Sequence, residues 1–309
     1  MPSSFPECAV LMSTYNGEGW LAEQLDSIGQ QQQVSVRITV SDDQSTDGTL
    51  QVLSRYASGL PLTILPAQEE RFGNANRNFL RLIRDANIGE AGFVALADQD
   101  DIWHPDKLVR AVTRLNSEAA GGYSSDVEAF WPDGRTKVVK KSYPQKRLDY
   151  LFGSPGPGCT FVLTRELFLK LREWVTENYA ILSGLWVHDW IFYAFARSRG
   201  FRWIIDNVPT MRYRQHECNE IGANFGIRAI QARLDIVRQG RYRHDIVLIS
   251  ELTASSQECS QALRRLNLMD RLWLIGHARD FRRSWPEVFA LQIIFLLMPS
   301  SPISSAGCA

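Results

Sequence analysis

Residues 8–14 read CAVLMST, residues 34–43 read VSVRITVSDD and residues 92–101 read GFVALADQDD. Each stretch is an apolar or alternating run that ends in polar residues, which is typical of a β-strand that leads into a loop. Between these runs, residues 18–33 and 49–56 carry apolar side chains at helical spacing. Strands that alternate with helices predict an α/β fold, with a mostly parallel sheet flanked by helices.

Three polar clusters fall at the ends of predicted strands, at residues 13–17, 41–48 and 98–101. The carboxyl ends of parallel strands meet at one edge of the sheet, and ligands bind beyond that edge. The sequence therefore predicts that these clusters share one functional site.

The composition excludes several classes of protein. The chain has 309 residues, with 34 Lys and Arg against 34 Asp and Glu, and 45% of its residues are hydrophobic. A net charge of zero argues against a nucleic-acid partner, and the hydrophobic content is that of a globular protein. The five cysteines are odd in number and lack the paired spacing of a zinc or redox site, which favours a reducing compartment.

The chain also lacks the signals of secretion and of membrane insertion. The N-terminal residues have no basic segment before their short apolar run, so they do not resemble a signal peptide. No stretch reaches the roughly 18–20 apolar residues that span a bilayer. We therefore expect a cytoplasmic protein.

The acidic cluster of Asp98, Asp100 and Asp101 has two interpretations. Carboxylates that converge at a strand end repel one another unless a cation neutralises them, and Mg²⁺ or Mn²⁺ would do so through oxygen ligands. Alternatively, the acids cap a helix that begins near Pro105. The pattern alone leaves both open.

The other polar positions also have two interpretations each. Asp43 can hydrogen-bond a base or ribose, or it can form a turn, and Tyr15 can stack on a base or belong to a turn. Arg71 and Arg77 precede a predicted helix, where a guanidinium can grip phosphate oxygens bidentately. A solvated surface charge is the alternative for at least one of these arginines.

Taken in order, these segments resemble the inverting, GT-A-fold glycosyltransferases of family 2, which use nucleotide-diphosphate sugars. The resemblance is carried by VLMSTYNGEGWLAEQLDSI (10–28), VSDDQSTDGT (40–49) and ALADQDDIWHPDKL (95–108), and more weakly by GSPGPGC (153–159), WVHDW (186–190) and YRQH (213–216). The last pieces look most like the bacterial rhamnosyltransferase-like members that act on surface polysaccharide. The resemblance implies a dTDP- or UDP-sugar donor, with rhamnose or another deoxyhexose as the sugar.

The resemblance also implies roles at the nucleotide end of the site. Ser13, Tyr15 and Asp43 would line the base and the ribose. Glu23 would support their loop from the first helix.

A metal site is implied as well, for Mg²⁺ or Mn²⁺. Asp98 and Asp100 would be the ends of the family's DxD motif, with Asp100 meeting the metal and Asp98 facing the ribose or the metal. His216 would lie near the diphosphate or the metal.

Asp189 takes the place of the family's general base. An acceptor hydroxyl has a pKa far above neutrality, so its attack needs a base within about 2.6–3.2 Å of the proton. The sequence has His188 where the family has Glu, so the resemblance puts His188 in the substrate site but leaves its role open. On pattern alone, Asp189 could instead cap the helix that follows it.

The domain prediction is a GT-A domain over residues 5–225 and a helical extension over 226–309. The extension contains the apolar run VFALQIIFLLM at 288–298, with arginines and a tryptophan before it. This run suits either a membrane interface or a buried or oligomer helix. A membrane interface would fit an acceptor saccharide linked to a polyprenyl carrier on the cytoplasmic leaflet.

Two other functions remain possible from the residues. A nucleotidyltransferase also combines a parallel sheet, acidic metal ligands and a nucleotide, but it should show a basic glycine-rich loop, and residues 16–19 (NGEG) contain no Lys or Arg. A binding protein that keeps the fold without activity is the second alternative. The presence of Asp98, Asp100 and Asp189 argues against it.

Overall fold

The computed structural model describes residues 5–185, 187–216 and 237–300. Within these residues, seven strands form the main sheet. They are β1 (Glu7–Thr14), β2 (Ser35–Asp42), β3 (Leu62–Ile64), β4 (Phe93–Ala97), β6 (Gly122–Ser125), β9 (Val162–Thr164) and β10 (Trp203–Asp206). A smaller sheet contains β5 (Ile102–Trp103), β7 (Val127–Phe130), β8 (Thr136–Val139) and β11 (Met211–Arg214).

The main sheet has the strand order β10-β6-β9-β4-β1-β2-β3. Strand β9 runs antiparallel to both β4 and β6, and the other neighbours pair in parallel. The prediction of a mostly parallel sheet is therefore confirmed. Strand β4 is buried along its whole length, which explains its uninterrupted apolar sequence, because helices cover both faces of such a sheet.

Helices flank the sheet. Those in the first part of the chain are α1 (Leu21–Gly29), α2 (Thr49–Tyr56), α3 (Ala75–Asp85), α4 (Lys107–Ser117), α5 (Arg165–Glu177), α6 (Tyr179–Leu182) and α7 (His188–Ser198). The C-terminal helices are α8 (Arg241–Leu252), α9 (Gln257–Arg265), α10 (Leu268–Gly276), α11 (Ala278–Phe281) and α12 (Trp285–Leu297). Local capping sets some of the starts: the Asn74 side chain accepts a hydrogen bond from the Arg77 N–H at the start of α3.

The C-terminal helices share a hydrophobic core with the sheet domain. The ring of Phe152 stacks on Phe281 of α11 at 4.3 Å between centroids and meets Phe295 of α12 edge-on at 5.9 Å. The predicted boundary between residues 225 and 226 lies outside the described residues. Among the described residues, the C-terminal helices α11 and α12 pack against the sheet domain.

Two expectations about membranes and cysteines can be compared with the fold. In the described part of the chain, no helix has both the length and the apolarity needed to cross a bilayer. Cys8, Cys159 and Cys259 are buried free thiols. Cys218 and Cys308 lie outside the described residues.

Candidate active site

A cavity of about 1200 Å³ opens where β1, β2 and β4 end. Of the side chains predicted for the site, it is lined by Ser13, Tyr15, Asp43, Asp98, Asp100, His188, Asp189 and His216. The three polar clusters of the sequence thus meet at one edge of the sheet. Glu23 and Arg77 are not among the lining residues.

At the β1 end of the cavity, two hydrogen bonds between its backbone and the Gln99 side chain hold Tyr15 in place. Its N–H donates to Oε1 of Gln99 at 2.8 Å, and Nε2 of Gln99 donates back to its carbonyl at 2.9 Å. The guanidinium of Arg71 lies 3.6 Å above the Tyr15 ring. A planar aromatic ring and a cation therefore face the same part of the cavity, a combination suited to a base and a phosphate.

The Asp43 carboxylate is buried and holds the loop that follows β3. It accepts hydrogen bonds from the N–H groups of Phe72 at 2.6 Å and Gly73 at 2.9 Å, and it pairs with Arg71 at 3.5 Å. The neighbouring Asp42 behaves as the turn interpretation requires, because its carboxylate accepts from both the N–H and the hydroxyl of Ser45. Asp43 thus both lines the cavity and positions the arginine beside it.

Arg77 lies away from the cavity. Its Nε donates to the carbonyl of Ser183 at 3.1 Å, and its side chain is exposed. Of the two arginines considered for phosphate binding, Arg71 lines the cavity and Arg77 has the surface position. The sequence could not show which of the two arginines lines the cavity, because both lie close to the start of α3.

The acidic loop after β4 does not cap the next helix. Helix α4 begins at Lys107, and Asp106 occupies the N-cap position. Instead, Arg214 of β11 holds this loop. Its guanidinium Nε donates to the Asp100 carbonyl at 2.7 Å, and its backbone N–H donates to the Asp101 carboxylate at 3.2 Å. The same guanidinium pairs with Glu23. Glu23 therefore supports the acidic loop from α1 through Arg214, rather than touching the cavity.

Asp100 and His216 form a pair at the cavity wall. Nε2 of His216 lies 2.7 Å from Oδ2 of Asp100. The Trp20 ring stacks on the imidazole, with centroids 4.2 Å apart and planes 5° apart. The histidine is consequently held from two sides, by a flat aromatic surface and by a carboxylate.

The donor set at this end of the cavity fits a hard divalent cation. The ligand atoms of Asp98, Asp101 and Cys159 all lie within 4.8 Å of one another. However, burial raises the pKa of the Asp101 carboxyl and of the Cys159 thiol well above their usual values, which disfavours the deprotonated forms that bind a metal. The cavity-lining Asp98 and Asp100, with His216 beside them, offer the oxygen and imidazole donors that Mg²⁺ or Mn²⁺ accepts.

Asp189 lies in the first turn of α7 and lines the same cavity as the acidic loop. The N-cap of this helix is Val187, so Asp189 does not cap it. The Asp189 carboxylate accepts a hydrogen bond from the Trp190 N–H at 2.6 Å. Burial raises the pKa of the Asp189 carboxyl to about 6, although the Trp190 N–H and the charge of Lys141 oppose the rise. Asp189 is thus ionised at neutral pH but more basic than an ordinary aspartate.

His188 is a neutral ring at neutral pH. Its imidazole stacks on Phe79 at 3.9 Å between centroids. Burial lowers the His188 pKa to about 3. Nε2 is buried and has no hydrogen-bond partner among the described residues. His188 therefore lines the cavity beside Asp189 as an uncharged ring.

The sequence did not predict the far wall of the cavity. It is formed by Lys141, which follows β8, and by Arg282, Glu287, Ala290, Leu291 and Ile294 on or next to α12. One residue could have indicated this wall from sequence: Glu287 is a charged residue directly before an apolar run.

The tryptophans on either side of His188 and Asp189 do not add to the described cavity. Trp190 is buried and donates its indole N–H to the Tyr150 carbonyl, and Trp186 lies outside the described residues.

Comparisons with known proteins agree with this architecture. The sequence model of the family described as "Glycosyl transferase family 2" matches residues 9–171. The chain is 37% identical over 287 residues to the dTDP-rhamnosyl transferase RfbG of Shigella flexneri, covering 92% of this chain and 99% of that one. It is also 31% identical over 114 residues to a putative glycosyltransferase, EpsE, of Bacillus subtilis, covering 37% of this chain and 40% of that one.

Solved structures share the fold at low sequence identity. The Staphylococcus aureus TarS fragment 1–349 in complex with UDP aligns with a TM-score of 0.56 at 16% identity, covering 94% of this chain and 91% of that one. The mannosyltransferase PcManGT of Pyrobaculum calidifontis, in complex with GDP-Man and Mn²⁺, aligns with a TM-score of 0.51 at 17% identity, covering 96% and 86%.

Proposed function

The chain belongs to glycosyltransferase family 2, and from that membership we propose that it transfers rhamnose or another deoxyhexose from a nucleotide diphosphate to a saccharide hydroxyl in surface polysaccharide synthesis. It is a glycosyltransferase with a GT-A fold. Family membership argues against the nucleotidyltransferase, and the presence of Asp98, Asp100 and Asp189 argues against the non-catalytic protein. The observation that carries the proposal is that Asp189 faces the same cavity as Asp98 and Asp100.

The donor in this proposal is a dTDP-sugar, with a UDP-sugar as the alternative. Support comes from the similarity to a dTDP-rhamnosyl transferase over nearly the whole chain. Tyr15 and Arg71 give the nucleotide end an aromatic face and a positive charge. Tyr15 lines the base and ribose, and Arg71, whose guanidinium covers one face of the Tyr15 ring, pairs with the diphosphate.

The reaction is a single displacement with Asp189 as the general base. The Asp189 carboxylate takes the proton from the acceptor hydroxyl, whose oxygen attacks the anomeric carbon. The bond from that carbon to the diphosphate breaks with its electron pair, and the configuration at the carbon inverts. One carboxylate suffices, because no covalent sugar intermediate forms. A carboxylate with a pKa near 6 suits this task better than an ordinary aspartate.

Asp98, Asp100 and His216 are the proposed ligands of Mg²⁺ or Mn²⁺. A bound divalent ion supplies positive charge that offsets the negative charge developing on the leaving diphosphate. Arg214 positions the acidic loop by binding the Asp100 carbonyl. His216 orients the Asp100 carboxylate, and Trp20 holds His216 in that orientation.

The acceptor occupies the part of the cavity between Asp189 and α12. A volume of about 1200 Å³ exceeds the roughly 300–1,000 Å³ typical of a pocket for one small ligand, so donor and acceptor fit together. Lys141, Arg282 and Glu287 offer hydrogen bonds to saccharide hydroxyls at this end. The acceptor is a saccharide, carried on a polyprenyl lipid at the inner face of the cell membrane, and the enzyme is cytoplasmic and peripheral there.

A donor screen tests this proposal. The full-length protein is incubated with a saccharide acceptor, with dTDP-, UDP- and GDP-sugars and with Mg²⁺ or Mn²⁺, and the free nucleotide diphosphate is measured. Release from dTDP-rhamnose or another dTDP-deoxyhexose, lost in Asp189→Asn, is the expected result. Release of pyrophosphate instead of a nucleotide diphosphate, or equal turnover by Asp189→Asn, would contradict it.

A further inference from the structure

Helix α12 exposes a continuous apolar stripe. Its members are Trp285, Phe289, Ile293, Leu296 and Leu297, each more than half exposed. They recur at intervals of three to four residues, so they share one side of the helix. Contiguous exposed apolar side chains of this size mark an interaction site more often than ordinary surface.

Helix α10 extends this stripe. Leu268, Met269 and Leu272 are each more than half exposed. Arg271 lies among them and donates to the carbonyls of Phe295 and Met298 at the end of α12. The start of α10 is thereby fixed against the end of α12. We call these eight exposed side chains, on two helices that Arg271 joins, the α10–α12 face.

The opposite side of α12 belongs to the active site. Glu287, Ala290, Leu291 and Ile294 line the cavity at its acceptor end. One helix therefore separates the α10–α12 face from the space assigned to the acceptor. A ligand with a polar head and an apolar tail could reach the cavity from the surface on which this face rests.

The size of the face and the charge around it favour a lipid surface over a second copy. Helices of 13 and 9 residues, about 20 Å and 14 Å long and 10 Å wide, present roughly 340 Å², against the ~800 Å² per partner that a stable dimer buries. Two arginines border the face, Arg271 on α10 and Arg279 beside Trp285. The Arg279 guanidinium lies 4.1 Å above the Trp285 ring, the pairing of amphipathic ring and cation that suits a membrane interface.

We propose that the α10–α12 face docks on the anionic surface of a lipid bilayer and brings the acceptor end of the cavity to that surface. The inference deepens the proposed function by naming the surface that meets the membrane; its acceptor part rests on the proposed transfer reaction, whereas the docking can be tested without that reaction. The apolar side chains enter the headgroup region, and nearby arginines face the anionic headgroups. Helix α12 lies flat on the membrane, with one side in lipid and the other in the cavity.

Vesicle sedimentation of the full-length protein tests the docking. Two double variants remove the apolar surface independently, Phe289→Glu/Ile293→Glu on α12 and Leu268→Glu/Met269→Glu on α10. Leu50→Glu is the matched control, because Leu50 is an exposed leucine on α2. Vesicles of phosphatidylglycerol and phosphatidylethanolamine are compared with vesicles of phosphatidylcholine alone, and thermal melting and light scattering check the fold and mass of every variant.

The unaltered protein and Leu50→Glu should sediment with the anionic vesicles, and each double variant should bind them at least about tenfold more weakly with an unchanged melting temperature. Failure of the unaltered protein to bind vesicles, or equal binding by folded double variants, overturns the proposal. A dimer that both double variants convert to monomer also overturns it, in favour of a second copy. Nucleotide release with a soluble saccharide acceptor and no vesicles tests the proposed transfer separately: vesicle binding without such release supports the docking and contradicts the proposed transfer.

Discussion

The His188 ring fills the space that a side chain at Gly158 would need. A Cβ built at Gly158 would lie 3.1 Å from Cδ2 and 3.2 Å from Cε1 of His188, and closer still to Nε2. The ring has little room to retreat, because it stacks on Phe79. Gly158→Ala should therefore displace the residue next to Asp189. We expect kcat to fall by about tenfold or more and the fold to lose ~1–3 kcal/mol.

Gly92→Ala is the control for this substitution. A Cβ at Gly92 meets no atom within 4 Å, and Gly92 does not line the cavity. Steady-state kinetics and thermal melting of both variants provide the measurement. Wild-type kcat in a folded Gly158→Ala would show that the His188 position does not matter for the reaction.

Local patterns predicted the sheet and its first helices well. The periodicity at residues 49–56 matched α2 from Thr49 to Tyr56, and the apolar run before Asp98 matched β4. These elements depend on the spacing of neighbouring residues, which a sequence displays directly.

Contacts between distant residues could not be predicted in the same way. Glu23 and Arg214 are separated by 191 positions, and nothing in the sequence near either residue shows that they pair. The same holds for α12, whose apolar composition indicated a membrane or a core but not a wall of the active site. Charged side chains such as Glu287 acquire their role from the fold that surrounds them.

Replacing Asp189 should separate activity from stability. Asp189→Asn keeps an oxygen to accept the Trp190 N–H but removes the base, so the rate should fall by about 10²–10⁴. A pKa raised to about 6 means that the native fold favours the protonated carboxyl. Ionisation of Asp189 therefore lowers the free energy of unfolding at pH 7.5, and the neutral amide should raise it by on the order of 1–3 kcal/mol.

Asp106→Asn serves as the matched control, because Asp106 is an exposed aspartate that makes no capping hydrogen bond. Nucleotide-release rates and urea unfolding at pH 7.5 measure the two effects. A variant with lower stability and nearly full activity would contradict both the burial argument and the assignment of the base.

The pH dependence of the reaction should report Asp189. The carboxylate must be ionised to take a proton, so kcat/KM should fall about tenfold per pH unit below a midpoint near 6. His188, whose pKa lies near 3, should not contribute between pH 5 and 8. The profile is measured at several donor concentrations on protein shown to be folded across the range. A flat rate between pH 5 and 7 would count against Asp189 as the base.

Arg214 does not line the cavity, but we expect it to affect donor binding. Its guanidinium binds Glu23 and the Asp100 carbonyl together, and a lysine cannot reproduce that geometry. Arg214→Lys should raise the donor KM by about tenfold, since the acidic loop loses its support. Arg212→Lys is the matched control, because Arg212 is on the same strand and its guanidinium also lies over the Phe130 ring, and it should change KM by less than about twofold. Equal KM values for the two variants would remove Arg214 from the positioning of the loop.

Metal titration should distinguish the proposed ligands from the buried group beside them. His216→Ala leaves Asp100 without its imidazole partner at 2.7 Å, so half-maximal activity should need about 10–100-fold more Mn²⁺. Cys159→Ala should leave the Mn²⁺ requirement unchanged, because burial keeps the thiol protonated. The shift of the melting temperature with Mn²⁺ alone gives a second reading that does not depend on turnover. If Cys159→Ala raised the Mn²⁺ requirement and His216→Ala did not, the ion would belong with Asp98, Asp101 and Cys159.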